Sequence, residues 1–222
     1  MTDFATLPGG IYMGTDGNDS VDADRLFPRG IFDNLILTFG GNDTVKAGKG
    51  FDAADLGAGD DSGLGSQGND TLLGGTGNDS LDGAQGRDVL DGGDGNDVIS
   101  GGQGDDRLSG GAGSDIIAGG DGKDLIIGGS GDDVMAGGKG QDVFLFESGF
   151  GKDVVLDFQK GDTIAIQANI NGTGITKAAD LAGYVSGNAA SSTITIGDDT
   201  IKLVGVSKSD LLAHLNDYVK IV

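Results

Sequence analysis

Twelve aspartates stand nine residues apart: Asp43, Asp52, Asp61, Asp70, Asp79, Asp88, Asp97, Asp106, Asp115, Asp124, Asp133 and Asp142. Each is the sixth residue of a unit G-G-x-G-x-D-x-U-x, with U apolar, and the units follow one another without a gap from Thr38 to Leu145. A carboxylate held this close to the backbone suits a hard cation that takes oxygen ligands. Glycine lets the turn adopt positive φ and bring its carbonyl oxygens toward one point. The most regular turns carry Gly74, Gly75 and Gly77; Gly92, Gly93 and Gly95; Gly101, Gly102 and Gly104; Gly110, Gly111 and Gly113; Gly119, Gly120 and Gly122; Gly128, Gly129 and Gly131; and Gly137, Gly138 and Gly140. Carbonyls of the first four positions and one Asp carboxylate supply oxygen alone, in a number that fits the six to eight ligands of Ca2+. Magnesium demands a tighter octahedron and zinc wants His or Cys, of which the chain has one and none.

Composition sharpens that reading. The 222 residues carry a net charge of -21, and of 35 acidic residues only Glu147 is not Asp. Acidity for its own sake would not avoid Glu; turns and oxygen sites built close to the backbone would. With 46 Gly and 36% hydrophobic residues the composition falls short of that of an ordinary globular core, and two Pro exclude a collagen. The charge repels nucleic acid and anionic membranes. Without Cys there are no thiolate zinc sites, disulfides or Cys nucleophiles. No charged and then apolar leader opens the chain, and no stretch is long enough to span a bilayer, so neither a cleaved signal peptide nor a membrane anchor is expected.

The elements that must position these turns follow from the period. Six turn residues and three strand residues reverse the chain, so two units make one coil of two short facing strands. The eighth position, running Val45, Ala54, Gly63, Leu72, Leu81, Leu90, Ile99, Leu108, Ile117, Ile126, Met135 and Phe144, is an inward column that only stacking can bury. The expected fold is all-β: a right-handed parallel β-roll of about six coils, thin and frayed at Ala54 and Gly63. Turns on one side recur every eighteen residues, so each ion should lie between neighbouring turns and be shared by two aspartates. One row would use Asp43, Asp61, Asp79, Asp97, Asp115 and Asp133, the other Asp52, Asp70, Asp88, Asp106, Asp124 and Asp142. Two rows of five gaps give about ten sites, whose charge nearly cancels that of the protein.

Three segments are expected: an amino-terminal cap over residues 1–37, the roll over 38–156, and a small α+β cap over 157–222. The first holds an isolated unit, Gly14 to Asp22, a degenerate rung at Asp33 to Ile36, and an apolar insertion, Leu26, Phe27, Pro28, Ile31 and Phe32, read as a lid. A thirteenth unit, shifted by two residues, runs from Ser148 to Leu156 with Asp153 in the sixth position. Beyond it the pattern predicts strands at Val154 to Phe158 and Thr163 to Ile166. It also predicts a hairpin of Ser192 to Ile196 with Thr200 to Val206, and helices at Lys177 to Tyr184 and Ser207 to Leu215, with Ser207 as N-cap. Val89, Val98, Ile116, Leu125, Val134 and Val143 at the outward seventh position predict that the carboxy-terminal segment covers the later flank, a partner protein being the alternative.

The nonapeptide resembles the repeats-in-toxin (RTX) family of secreted calcium-binding proteins. The resemblance implies a parallel β-roll and export by a type I secretion apparatus, guided by an uncleaved carboxy-terminal signal. The tail from Thr193 to Val222 is similar to the ends of such proteins. The family's stretch D-x-I-x-D-F followed by G-x-D-x-I appears as Asp153 to Phe158 and Gly161 to Ile164, one residue short, so Asp157 and Asp162 are left out of the metal set.

No catalytic constellation is present: there is no H-E-x-x-H, G-x-S-x-G, P-loop or EF-hand, and His214 reads as a surface or packing residue of a helix. Three roles stay open: a stand-alone secreted, extracellular or cell-surface calcium-binding roll; the carboxy-terminal module of a larger secreted enzyme or toxin, against which Met1 and the capped start argue; and a polysaccharide-binding roll. Lys46, Lys49, Arg87, Arg107, Lys123 and Lys139 are too scattered to favour the third.

Overall fold

The computed structural model describes residues 5–7, 10–26 and 33–222. The apolar insertion beyond the short Ala23–Leu26 helix lies outside the described residues.

Two long sheets face each other. In one, parallel strands run in the order Ile11–Met13, Leu35–Leu37, Ala53–Ala58, Thr71–Thr76, Val89–Asp94, Arg107–Ala112, Leu125–Ser130, Val143–Phe146, Thr163–Ile166 and Val219–Ile221. The other runs from Ser20–Asp22 through Thr44–Lys49, Ser62–Gln67, Ser80–Gln85, Val98–Gln103, Ile116–Gly122, Val134–Gly140 and Lys152–Val155 to Asp199–Val204. Within the repeats, registry is eighteen residues throughout: Leu72 pairs with Leu90, and Leu90 with Leu108. The fold is the expected parallel β-roll, and its ladders extend past the twelve units at both ends. The amino-terminal strands prolong them on one side. On the other, the carboxy-terminal cap contributes Thr163–Ile166, Val219–Ile221 and Asp199–Val204.

Most strands of the repeats are six residues long, occupying positions seven to nine and then one to three of the next unit, with the eighth and the following first position facing inward. That second inward position repairs the end expected to fray. Thr38, Ala47 and Leu56 stand at position one of the first three units and are fully buried. A Cβ on Gly63 would lie 3.1 Å from both Leu56 Cδ1 and Leu81 Cδ2, so neighbouring leucines fill the space its absent side chain leaves. Tyr12, Val21, Ile36 and Val45 complete that end.

The cap departs from the predicted elements in small ways. The hairpin joins Ser191–Ile196 to Asp199–Val204 through Gly197 and Asp198, one residue tighter than expected. Lys177 to Tyr184 forms a 3-10 turn, Ala178–Tyr184. The last helix breaks at His214 into Lys208–Ala213 and Leu215–Tyr218, while Ser207 caps it by accepting the Asp210 N–H at 3.1 Å. The cap stacks on the end of the roll rather than over its flank. Val98 and Ile116 are 50% and 56% exposed, which corrects the expectation that the carboxy-terminal segment covers them.

Candidate metal centre

The turns hold their aspartates through the backbone of the adjacent coil. The N–H of each Asp donates to Oδ1 of the Asp one coil later: Asp79 to Asp97 at 2.8 Å, Asp97 to Asp115 at 2.8 Å, and Asp133 to Asp153 at 3.0 Å. In the facing row Asp52 donates to Asp70 at 2.8 Å, Asp70 to Asp88 at 2.7 Å, and Asp142 to Asp162 at 3.2 Å. These bonds orient every carboxylate and leave its second oxygen turned inward. In all thirteen sixth-position aspartates from Asp43 to Asp153, Oδ2 is buried and accepts no hydrogen bond. A buried carboxylate oxygen without a donor is costly, and thirteen of them in two columns require either protons or cations.

The electrostatics agree. Burial pushes Asp70 and Asp124 up to about 7, Asp79, Asp88 and Asp115 to about 6, and Asp153 to about 8. The like charge of column neighbours adds to this, against the lowering effect of the backbone N–H. The exposed fifth position behaves oppositely: Asp60 is held below the usual range by the backbone and side-chain N–H of Asn78, while Asp61 beside it is raised by burial. One acid of each Asp-Asp pair faces solvent and the other faces the site.

Glycine has two separate duties in these turns. At the second position the backbone is left-handed whatever the residue: Phe39, Ser66 and Ala84 take φ of 71°, 85° and 72° there. At the first position glycine is needed for room. A Cβ on Gly65 would lie 2.7 Å from Asp70 Oδ2 and 2.8 Å from the Gly83 carbonyl oxygen, and one on Gly101 would lie 2.6 Å from both Asp106 Oδ2 and the Gly119 carbonyl oxygen. A carboxylate oxygen and a carbonyl of the next coil thus converge beside a residue that can carry no side chain. No point among the described residues gathers three or more His, Cys, Asp or Glu side chains. Each gap offers two carboxylates, and carbonyls must supply the remaining ligands. An oxygen-only donor set with this cradle fits Ca2+.

The structure brings the predicted aspartates together and adds members. Asp19 is the sixth residue of the isolated first unit and joins the first row by donating its N–H to Asp43 Oδ1 at 2.7 Å. Asn34 heads the second row through Asp52 Oδ1 at 2.7 Å. It is the sixth residue of a unit at 29–37, legible once the count is carried back from Thr38. Asp162 ends that row; its spacing of twenty from Asp142 hid it. Asp157 is exposed and accepts the N–H groups of Gly137 and Gly138 at 2.9 and 2.8 Å, closing a turn rather than lining a gap. A cavity of about 190 Å³ beside Asp153 is lined by Ser130, Glu147 and Ser148 together with Ile127, Gly129, Leu145, Phe146 and Phe150. His214 is exposed, with Nδ1 3.1 Å from the Asp210 carbonyl oxygen, as befits a surface residue.

A parallel roll with two acidic, oxygen-lined columns of turns defines a calcium-binding β-solenoid. Residues 37–72, 64–99, 73–108, 85–117 and 109–144 match the family model of the RTX calcium-binding nonapeptide repeat (4 copies), and this stretch of the chain belongs to that family. No curated protein sequence matches the chain. Among solved structures, the extracellular lipase LipA of Serratia marcescens is similar over 80% of this chain and 41% of the lipase, at 20% identity and a TM-score of 0.38. The chain therefore spans well under half of that relative's length.

Proposed function

We propose that this chain is a secreted calcium-binding protein whose roll folds when it meets calcium outside the cell, with no catalytic activity of its own. The observation that carries this reading is the set of thirteen buried Oδ2 atoms without donors. The proposed ligands are Asp43 to Asp142 at nine-residue spacing, Asp153, and carbonyls of the glycine turns from Gly74 to Gly140. In a cytosol poor in calcium the two columns repel, and the small core does not offset chain entropy, so the chain would be unfolded and ready for export. Extracellular sites of this kind have Kd of roughly 10⁻⁴ to 10⁻³ M. Circular dichroism during calcium addition tests the reading: a β spectrum should grow with the ion, and a full β spectrum already present in chelator would overturn it.

Export by a type I apparatus, with residues 193–222 as the uncleaved signal, belongs to the same proposal. No described helix is long and apolar enough to cross a membrane. Removing residues 193–222 should abolish export, and undiminished export would refute the assignment. The division into 1–37, 38–156 and 157–222 is proposed on the same footing. The exposed Val98 and Ile116 support a second reading, in which the roll is a module packed against a further domain or a cell-surface or polysaccharide partner.

A further inference from the structure

The second column of carboxylates outlasts its hydrogen bonds. The N–H of Asp142 donates to Asp162 Oδ1, but the N–H of Asp162 turns back to the Gln159 carbonyl oxygen at 3.1 Å. The next strand of the sheet still brings a carboxylate to the level of Asp162. Ile164 pairs with Val219, and the same register carried back two residues sets Asp217 level with Asp162. Asp217 lies in the helix Leu215–Tyr218 rather than in a glycine turn, its N–H bonded to the His214 carbonyl oxygen at 2.9 Å. No bond draws it onto Asp162, and a cavity of about 520 Å³ opens between the turn at 160–162 and the last helices.

Three carboxylates line this cavity: Asp162, which is 2% exposed, Asp210, and Asp217, whose carboxylate accepts no hydrogen bond from any described residue. One ammonium, that of Lys160, stands against them. Asp210 is held in place, with Oδ1 3.2 Å from His214 Nδ1 and Oδ2 accepting the Tyr218 hydroxyl at 3.3 Å. The rings of His214 and Tyr218, centroids 5.4 Å apart, give the cavity an aromatic wall, and Phe158 packs on Tyr218 from behind. The carboxylates are too far apart to close on a single metal ion, since no point among the described residues gathers three or more His, Cys, Asp or Glu side chains. A volume of this size takes a small organic group instead. A guanidinium suits the donors it would meet: it is planar and permanently charged, its five N–H groups reach two carboxylates at once, and its face lies against an aromatic ring.

We infer that this cavity is a binding site for a guanidinium cation, supplied by a free arginine-like molecule or by an arginine side chain of a peptide. Asp162 and Asp217 receive its N–H groups, and Tyr218 its face. The site lies beyond the glycine turns and goes further than the calcium reading, on which it does not rest.

The test is an NMR titration of the intact chain in saturating calcium. Nα-acetyl-arginine amide should shift the amides of residues 160–162 and 208–218 saturably, and the lysine counterpart, with its compact ammonium, should bind several-fold more weakly. Tighter binding of free arginine would support the site with a free molecule as ligand, and tighter binding of the blocked amide would support it with a peptide. Asp217→Asn should weaken binding about tenfold, and Lys160→Ala, which removes the competing ammonium, should strengthen it. No saturable shift with either arginine probe would overturn the inference, as would binding that Asp217→Asn leaves unchanged. Loss of a calcium ion from Asp217→Asn, counted by native mass spectrometry, would also overturn it by making the cavity a metal site. Should Asp217→Asn fail to fold, Lys160→Ala still decides, because binding that does not strengthen would refute the carboxylate site.

Discussion

The central coils and the carboxy-terminal cap share both sheets and bury different things. A coil between Gly65 and Asp142 encloses two apolar side chains of the eighth position, such as Leu90 and Ile99, together with two carboxylates. The cap encloses Phe158, Ile164, Ile166, Ile170, Ile175, Leu181, Ile194, Ile196, Ile201, Leu203, Leu211, Leu215 and Val219. Its rings pack edge to face, Phe158 on Tyr218 with centroids 5.4 Å apart. One region is stabilised by what it excludes from water; the other, on the function proposed above, is stabilised by what its buried oxygens bind. The same strand ladder can therefore be finished by two different kinds of interior, and the ladder bonds alone favour neither.

The strongest way to break this contrast is to remove calcium. In chelator, amide exchange in residues 65–142 should approach that of an unfolded chain, while residues 157–222 keep slow-exchanging amides. Equal protection of both regions would mean that the roll's interior suffices without ions, and the comparison would fail.

Acid is the second lever, and it acts in opposite senses with and without the ion. Asp70, Asp124 and Asp153 sit at about 7, 7 and 8 in the folded metal-free roll, against an ordinary value of 3.8. Between about pH 4 and 8 the folded form therefore binds more protons than the unfolded one. Its stability rises as pH falls through that window and is lost as pH rises past about 8. In chelator, β structure in the roll should increase from pH 8 to pH 5, and the cap should change little. With calcium present the same protons compete with the ion, so the calcium midpoint should move to higher concentration over the same range. A chelated roll whose spectrum does not respond to acid would separate the aspartates from its instability.

A third comparison sets equal cavities in the two interiors. Leu108→Ala in the roll and Ile201→Ala in the cap should each cost about 2–5 kcal/mol in saturating calcium. The roll variant should also raise the calcium midpoint, because folding and binding are one equilibrium there, whereas the cap variant should leave that midpoint nearly unchanged. Midpoints that shift equally would show the two regions to be a single cooperative unit.

What could be read in the chain follows the same division. In the roll, period nine fixes strand, turn, inward position and the place of the proposed metal ligand at once, so Asp43 to Asp142 fall where their spacing puts them. Legibility ends where the spacing changes. Asp19 to Asp43 is twenty-four residues because six residues interrupt the count, and Asp142 to Asp162 is twenty, so the column continues through bonds that no period announces. The inward role of position one was hidden because glycine shows nothing there; only Thr38, Ala47 and Leu56 betray it. In the cap, local signals placed Thr163–Ile166 correctly and the Ser207 cap as well. The helix breaks at His214, whose φ of -119° and ψ of 21° leave the helical region, although Leu211 and Leu215, both buried, keep the i, i+4 spacing that periodicity joined into one helix.

The smallest effect belongs wholly to the cap. Ser207 lies at φ -71° and ψ 153°, its Oγ accepting the Asp210 N–H and lying 3.0 Å from Ser209 Oγ. Ser207→Ala leaves that N–H to water and should cost about 1 kcal/mol of cap stability. Nothing in the roll depends on this bond, so the calcium midpoint and the number of ions bound should be those of the unsubstituted protein, while thermal or denaturant unfolding of the cap shifts down. A changed ion count would mean that the cap's last helix sets the geometry of the turns at Asp153 and Asp162. The cap would then be a template for the final coils, and the two interiors would be coupled through the strands Asp199–Val204 and Val219–Ile221 that join them.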